Sequence, residues 1–293
     1  MYAKVNGVKL FFDVEGLQFV PDGPVMREKP ICFVLHGGPG LDHTHYLPAL
    51  SRLAETMQLV YIDDRSCGRS ERVDFKTSSI KQNVDDIEAL REHLGLDKIF
   101  ILGHSYGGFK VQRYIIDYPE HLYGAIIACS SPNADDVEGG RVAAHILEYG
   151  TEEQYRVWTT KAVQRGEITF QEYMNIMGPL YHGKGRFNLE EALNINTRGI
   201  KTDEVIQYQM SGELASNDQF NMLPGLANVD LPCMILCGES DFITDVDANR
   251  DIHNAIKNSE FHVIKGASHE IFDDYPEIAF PLVEEFVKKH FVK

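Results

Sequence analysis

The 293-residue sequence predicts an α/β fold: a doubly wound, mostly parallel sheet carrying an inserted helical cap. A short, fully apolar run stands at Ile31 to Leu35, and similar runs recur at Leu59 to Ile62, Ile99 to Leu102, Ala125 to Cys129, Met234 to Cys237 and Phe261 to Ile264. Runs of that kind suit strands covered on both faces. Helical patterns alternate with them at Ser79 to Leu94, Tyr106 to Asp117, Val246 to Ile256 and Pro276 to Phe291. Such alternation calls for a parallel sheet with right-handed crossovers. It stops between Asn133 and Asn228, where the pattern is helical and a strand returns only after Asp230-Leu231-Pro232.

Taken in order, the N-terminal residues pass directly into an alternating strand at Val8 to Val14, and Gln18 to Pro30 reads as a Gly/Pro-broken connection. Ser79 and Gly95 supply a start and a stop for the first helix. The expected organisation is a core of residues 1–132 and 229–293 with a cap of 133–228. A separate second domain is the rival, but it would leave the last strands without a sheet to join. Hydrophobic content of 43% with 25% charged residues fits a water-soluble globular chain. A net charge of -16 argues against nucleic acid or an anionic membrane as partner, since both call for a basic patch. The expected partner is a small molecule or short peptide, bound as substrate with no cofactor and no metal. Oligomeric state is not readable. The five cysteines are odd in number and mostly within apolar runs, which suits buried thiols better than disulfides. With no leader pattern and no spanning apolar run, the cytoplasm is the expected compartment.

Chemistry concentrates at Gly103-His104-Ser105-Tyr106-Gly107-Gly108, a Gly-x-Ser-x-Gly sequence between a predicted strand and a predicted helix. A sharp turn there lifts a serine hydroxyl clear of the sheet, making Ser105 the candidate nucleophile. Gly238-Glu239-Ser240-Asp241 and Lys265-Gly266-Ala267-Ser268-His269 follow later strands. Asp241 and His269 therefore complete a catalytic set in the chain order Ser, Asp, His. Asp241 could instead cap the helix near Val246, with Glu239 or Asp245 as the acid. The glycine-rich loop His36-Gly37-Gly38-Pro39-Gly40 follows the strand at Ile31. We assign the oxyanion hole to the Gly38 N–H and to the Tyr106 N–H, which opens a helix. A plain Gly/Pro turn satisfies the loop sequence as well. His43 and His45 lack further ligands for a metal and read as surface, and the loop after Leu35 lacks the ending of a phosphate-binding loop.

With these residues in place the chain resembles the proline iminopeptidase group of α/β-hydrolases. The resemblance rests on His36 to Gly40, Gly103 to Gly108, Gly238 to Asp241, Ser268-His269, and Asp63-Asp64-Arg65-Ser66-Cys67-Gly68-Arg69-Ser70. The last resembles the group's Asp-Gln-Arg-Gly-x-Gly-x-Ser loop, with Asp64 and Ser66 as departures. The resemblance implies an N-terminal exopeptidase whose helical cap closes the pocket over a free ammonium. Family members commonly meet that ammonium with a cap Glu, for which Glu213 is the candidate, and with an acidic residue after the Asp of the triad. Phe242 stands at the latter position and offers a cation only its ring face. Phe242 and Trp158 join Glu213 as expected substrate contacts. An ester, lactone or amide lacking a free amine is the alternative substrate, and a non-catalytic binding protein is the alternative from another class.

Overall fold

In the computed structural model, residues 1–133, 140–162, 165–205 and 220–292 are described. The strands are β1 (Tyr2–Val5), β2 (Val8–Glu15), β3 (Phe19–Asp22), β4 (Val25–Glu28), β5 (Ile31–Leu35), β6 (Gln58–Ile62), β7 (Ile99–His104), β8 (Leu122–Ala128), β9 (Cys233–Gly238) and β10 (Ser259–Ile264). Eight of them form one sheet in the order β1-β2-β6-β5-β7-β8-β9-β10. β1, β2 and β6 pair antiparallel, and the strands from β6 to β10 in that order run parallel. Each apolar run of the sequence lies on one of these strands.

Alternation within the strands explains why the runs are apolar throughout. Phe33, Leu35, Ile99, Ile101, Ile127 and Ile235 point into one core layer. Cys32, Val34, Phe100, Leu102, Ile126 and Leu236 point into the other. Helices α1 (Ile80–His93) and α2 (Tyr106–Asp117) cover the first face, and the long C-terminal helix covers the second. Ser79 caps α1 by accepting from the Gln82 N–H, and Gly95 follows its end at φ 67°.

Two expectations need correction. The Gln18 to Pro30 connection contains a hairpin, β3 and β4, turning at Gly23-Pro24. Gly23 has φ 61°, so the Gly/Pro pair that reads as a break is the turn itself. His43 is buried and not at the surface, because its Nδ1 lies 2.7 Å from the Asp63 carboxylate. All five cysteines are buried and free.

Between β8 and β9 the described residues are helical: α3 (Gly140–Tyr149), α4 (Glu152–Thr159), α5 (Phe170–Tyr181), α6 (Leu189–Arg198) and the short α7 (Leu223–Leu226). Thr151 with Gln154 and Thr169 with Glu172 form capping boxes that start α4 and α5. The inserted helices share a third apolar cluster, which includes Val142, Ile146, Val157, Met177 and Leu180. After β9 come α8 (Val246–Ala255), α9 (Ile271–Asp274) and α10 (Pro276–His290). Among the described residues, no helix is long and apolar enough to cross a membrane.

Candidate active site

Ser105 occupies the sharp turn between β7 and α2 with φ 56° and ψ -123°. A non-glycine residue held there stores about 1–3 kcal/mol of backbone strain. The surroundings enforce it. The Ser105 N–H donates to the Ala128 carbonyl at 2.9 Å, and its own carbonyl accepts from Ser130 Oγ at 3.1 Å. The flanking glycines are required by contact: a Cβ on Gly103 would lie 2.3 Å from the Gly107 carbonyl oxygen, and one on Gly107 2.2 Å from that of Leu35. Ser105 itself remains partly open to solvent.

The loops after β9 and β10 bring an imidazole and a carboxylate together. His269 Nδ1 lies 2.8 Å from Asp241 Oδ2. Asp241 also accepts from the N–H groups of Ile243 and Thr244 and from Thr244 Oγ1, so its second oxygen is fully used. Burial works against its ionisation, but His269 and these bonds hold the carboxyl below its usual range. Burial, the largest single influence, pushes the His269 imidazole down, but the Asp241 charge, its hydrogen bond and the Glu270 charge together outweigh it and hold the pKa above the ordinary value. The competing acids are engaged elsewhere. Asp245 caps α8 through the Ala248 N–H, and Glu239 accepts from the Gly266 N–H.

His104 joins the two halves. Its ring lies 4.7 Å from that of His269, and its Nε2–H donates to the His269 carbonyl at 2.8 Å. Burial first, and the neighbouring His269 second, push the His104 imidazole down to about 4, so it packs as a neutral ring. Sequence reasoning passed over it as a variable position in the turn. His104, Cys129 and His269 place ligand-type atoms within 4.8 Å of one another. Burial pushes the Cys129 thiol well above its ordinary value, and His269 Nδ1 is already engaged by Asp241. No hydrogen bond joins the Ser105 hydroxyl to a described residue; contacts of this kind often tighten only around substrate.

The glycine-rich loop lies against the turn, so that a Cβ on Gly37 would stand 3.5 Å from that of Ser105. Gly38 has φ 119°, and no acceptor among the described residues takes the Gly38 or Tyr106 N–H. Two unbonded N–H groups beside a serine can stabilise a developing oxyanion. Behind them Ser66, at φ 60°, occupies a conformation natural to glycine, which accounts for the glycine at that position in the resembled loop.

The expected substrate contacts fare differently. Phe242 is fully buried, packed against Trp158 and Tyr181 at 5.9 and 5.1 Å in the seam between the sheet and the inserted helices. Its ring lies among apolar neighbours, and Trp158 is half-buried against it. Glu213 lies outside the described residues. The inserted helices fasten to the loops that follow β10 and β5. Ser268 Oγ donates to the Leu180 carbonyl at 2.5 Å, and the Tyr181 carbonyl accepts from the Glu270 N–H at 2.9 Å. On the other side, the Ile200 N–H donates to Asp42 and that of Thr202 to the Gly40 carbonyl.

Residues 30–276 match the alpha/beta hydrolase fold family. A proline iminopeptidase of Thermoplasma volcanium is 28% identical over 302 residues, covering 97% of this chain and 96% of its own. The solved proline iminopeptidase-related protein of Thermus thermophilus superposes with a TM-score of 0.77 at 22% identity, over 99% of this chain and 97% of its own. A thermophilic esterase of Thermogutta terrifontis superposes at 0.72 and 21% identity, over 100% and 99%. A proline iminopeptidase-related protein and an esterase thus share this fold.

Proposed function

The chain belongs to the alpha/beta hydrolase fold family, of the proline iminopeptidase-like kind, and on that premise we propose that it is a serine hydrolase acting through an acyl-enzyme. Ser105 Oγ attacks the substrate carbonyl while His269 Nε2 takes its proton. Asp241 holds the imidazolium, and the Gly38 and Tyr106 N–H groups receive the oxyanion. Collapse expels the leaving group with the proton returned by His269, and water then releases the acyl group by the same path. The observation that carries this reading is the strained Ser105 turn beside an Asp241–His269 pair at 2.8 Å.

For substrate, we propose an aminopeptidase releasing N-terminal residues, with the inserted helices acting as a cap. Similarity to proline iminopeptidases along nearly the whole chain supports it. Glu213 is the proposed partner of the substrate ammonium. Phe242 favours a second reading, an ester, lactone or amide without a free amine, because the position after Asp241, acidic in the resembled family, carries no charge to neutralise an ammonium.

A panel separates the two. Prolyl and leucyl anilides are compared with their N-acetylated forms, short esters and lactones. The aminopeptidase reading expects the free-amine anilides to give the higher kcat/KM, and Glu213→Gln to raise their KM by about tenfold while sparing esters. Preference for acetylated or ester substrates would transfer the assignment to the second reading.

A further inference from the structure

Lys110 is a buried charge that the proposed acyl transfer does not use. It lies on α2, four residues beyond Tyr106, with no exposed surface. Its ammonium meets Asp64 Oδ2 at 2.6 Å, with the neutral Asn83 amide also touching that oxygen at 3.4 Å. Asp64 is one of the two departures from the resembled loop, whose Gln carries no charge. A carboxylate buried there needs a cation, and α2 supplies it.

The pair sits directly behind the oxyanion loop. The Asp64 backbone N–H donates to His36 Nε2 at 3.2 Å, and Asp64 Oδ2 lies 3.3 Å from the same nitrogen. On the other side of the ring, Nδ1 lies 2.8 Å from the Gly37 carbonyl oxygen. An amide N–H only donates and a carbonyl only accepts. With the Asp64 carboxylate neutralised by Lys110, these two bonds assign the ring as a neutral imidazole with its proton on Nδ1. The Gly37–Gly38 peptide is trans, so its carbonyl and its N–H point in opposite directions. Holding the Gly37 carbonyl from behind aims the Gly38 N–H away from His36.

Without Lys110, the Asp64 carboxylate would have the His36 ring as its nearest potential cation. A proton drawn onto Nε2 would remove the acceptor for the Asp64 N–H and disturb the ring that sets the Gly37–Gly38 plane. We propose that Lys110 is a positioning residue of the oxyanion loop: by claiming Asp64, it keeps His36 in the neutral tautomer that aims the Gly38 N–H. This rests on the assignment of Gly38 as an oxyanion donor. The charged groups facing the ring are Lys110 from α2 and Asp63 and Asp64 from the loop after β6. Burial chiefly, with the Lys110 charge adding to it, holds the His36 imidazole below its ordinary value against both carboxylates.

The test compares Lys110→Gln with the double variant Asp64→Asn/Lys110→Gln, which removes both charges. Steady-state kinetics and the ¹⁵N resonances of the His36 ring are the readouts, with a thermal melt to verify folding. Lys110→Gln is expected to lower kcat about ten- to a hundredfold with KM within about twofold, and to recover activity as rising pH strips the extra proton from His36. The double variant should restore the neutral ring signature and bring kcat to within about fivefold of the parent. If Lys110→Gln does not fold, Asp64→Asn alone serves: a neutral His36 and kcat within about fivefold are expected, and a larger loss in a folded protein overturns the proposal. Unchanged kcat with an unchanged ring in Lys110→Gln overturns it at the lysine. Unchanged kcat with a protonated ring overturns it at the Gly38 assignment. A double variant no better than the single one also overturns it.

Discussion

The two sides of Ser105 are built on opposite electrostatic plans. On the β9–β10 side, Asp241 raises the proton affinity of His269, as the base of the proposed acyl transfer requires. On the β5–β6 side, His36 is equally buried and also lies beside a carboxylate, yet Lys110 has already claimed that carboxylate and the ring is held neutral. Imidazole beside carboxylate is thus not by itself a catalytic sign. What decides is whether a third charge satisfies the acid. In the proposed reaction one side of the site moves a proton, and the other holds backbone N–H groups still.

Substitutions on the proton-moving side are expected to be the most damaging. Ser105→Ala should reduce turnover by roughly 10⁴- to 10⁶-fold while leaving the melting temperature near that of the parent, checked by hydrolysis assay and calorimetry. Substantial residual turnover would place the nucleophile elsewhere. Asp241→Asn should cost about 10³- to 10⁴-fold in kcat, because the amide no longer fixes the ring tautomer or supports the imidazolium.

The pH profile sharpens the contrast further. His269 must be neutral to accept a proton, and its pKa is raised, so kcat/KM should fall on the acid side with a midpoint above that of a free imidazole. Loss of the Asp241 charge lowers that pKa, so the acid limb of Asp241→Asn should move to lower pH. A limb that stays in place would mean that His269 is not the titrating base. His36, held below its ordinary value, should contribute no limb near neutrality.

The smallest catalytic effect is expected in the seam away from both sides. Phe242→Ala should destabilise the protein by about 3 kcal/mol through the cavity it leaves, measured by denaturant unfolding. Reaction of Ser105 with a small acylating agent should change far less than in Asp241→Asn. A loss in that reaction as large as in Asp241→Asn would show that Phe242 touches the chemistry.

These contrasts also mark how much the sequence could disclose. The strands were legible because both faces of the sheet are covered, leaving unbroken runs such as Ile31 to Leu35. The turn at Ser105 was legible because its glycines are demanded by contacts within a few residues or with the adjacent strand. Asp241 could be placed only by its loop; excluding Asp245 required seeing it cap α8. The Asp64–Lys110 pair was hidden because its members lie 46 residues apart and meet only through the crossover from β6 to α2. One clue was available, a lysine between Phe109 and Val111 on a helix with little exposed face. Phe242 is buried against Trp158 and Tyr181, packing that its place after Asp241 in the sequence does not disclose.

The most direct measurement is mass spectrometry of the protein after brief exposure to a fluorophosphonate, which traps an activated serine as a stable adduct. The account expects a single adduct on Ser105, absent in Ser105→Ala and formed far more slowly in His269→Ala. An adduct on another residue, or unchanged labelling of Ser105→Ala, would contradict it.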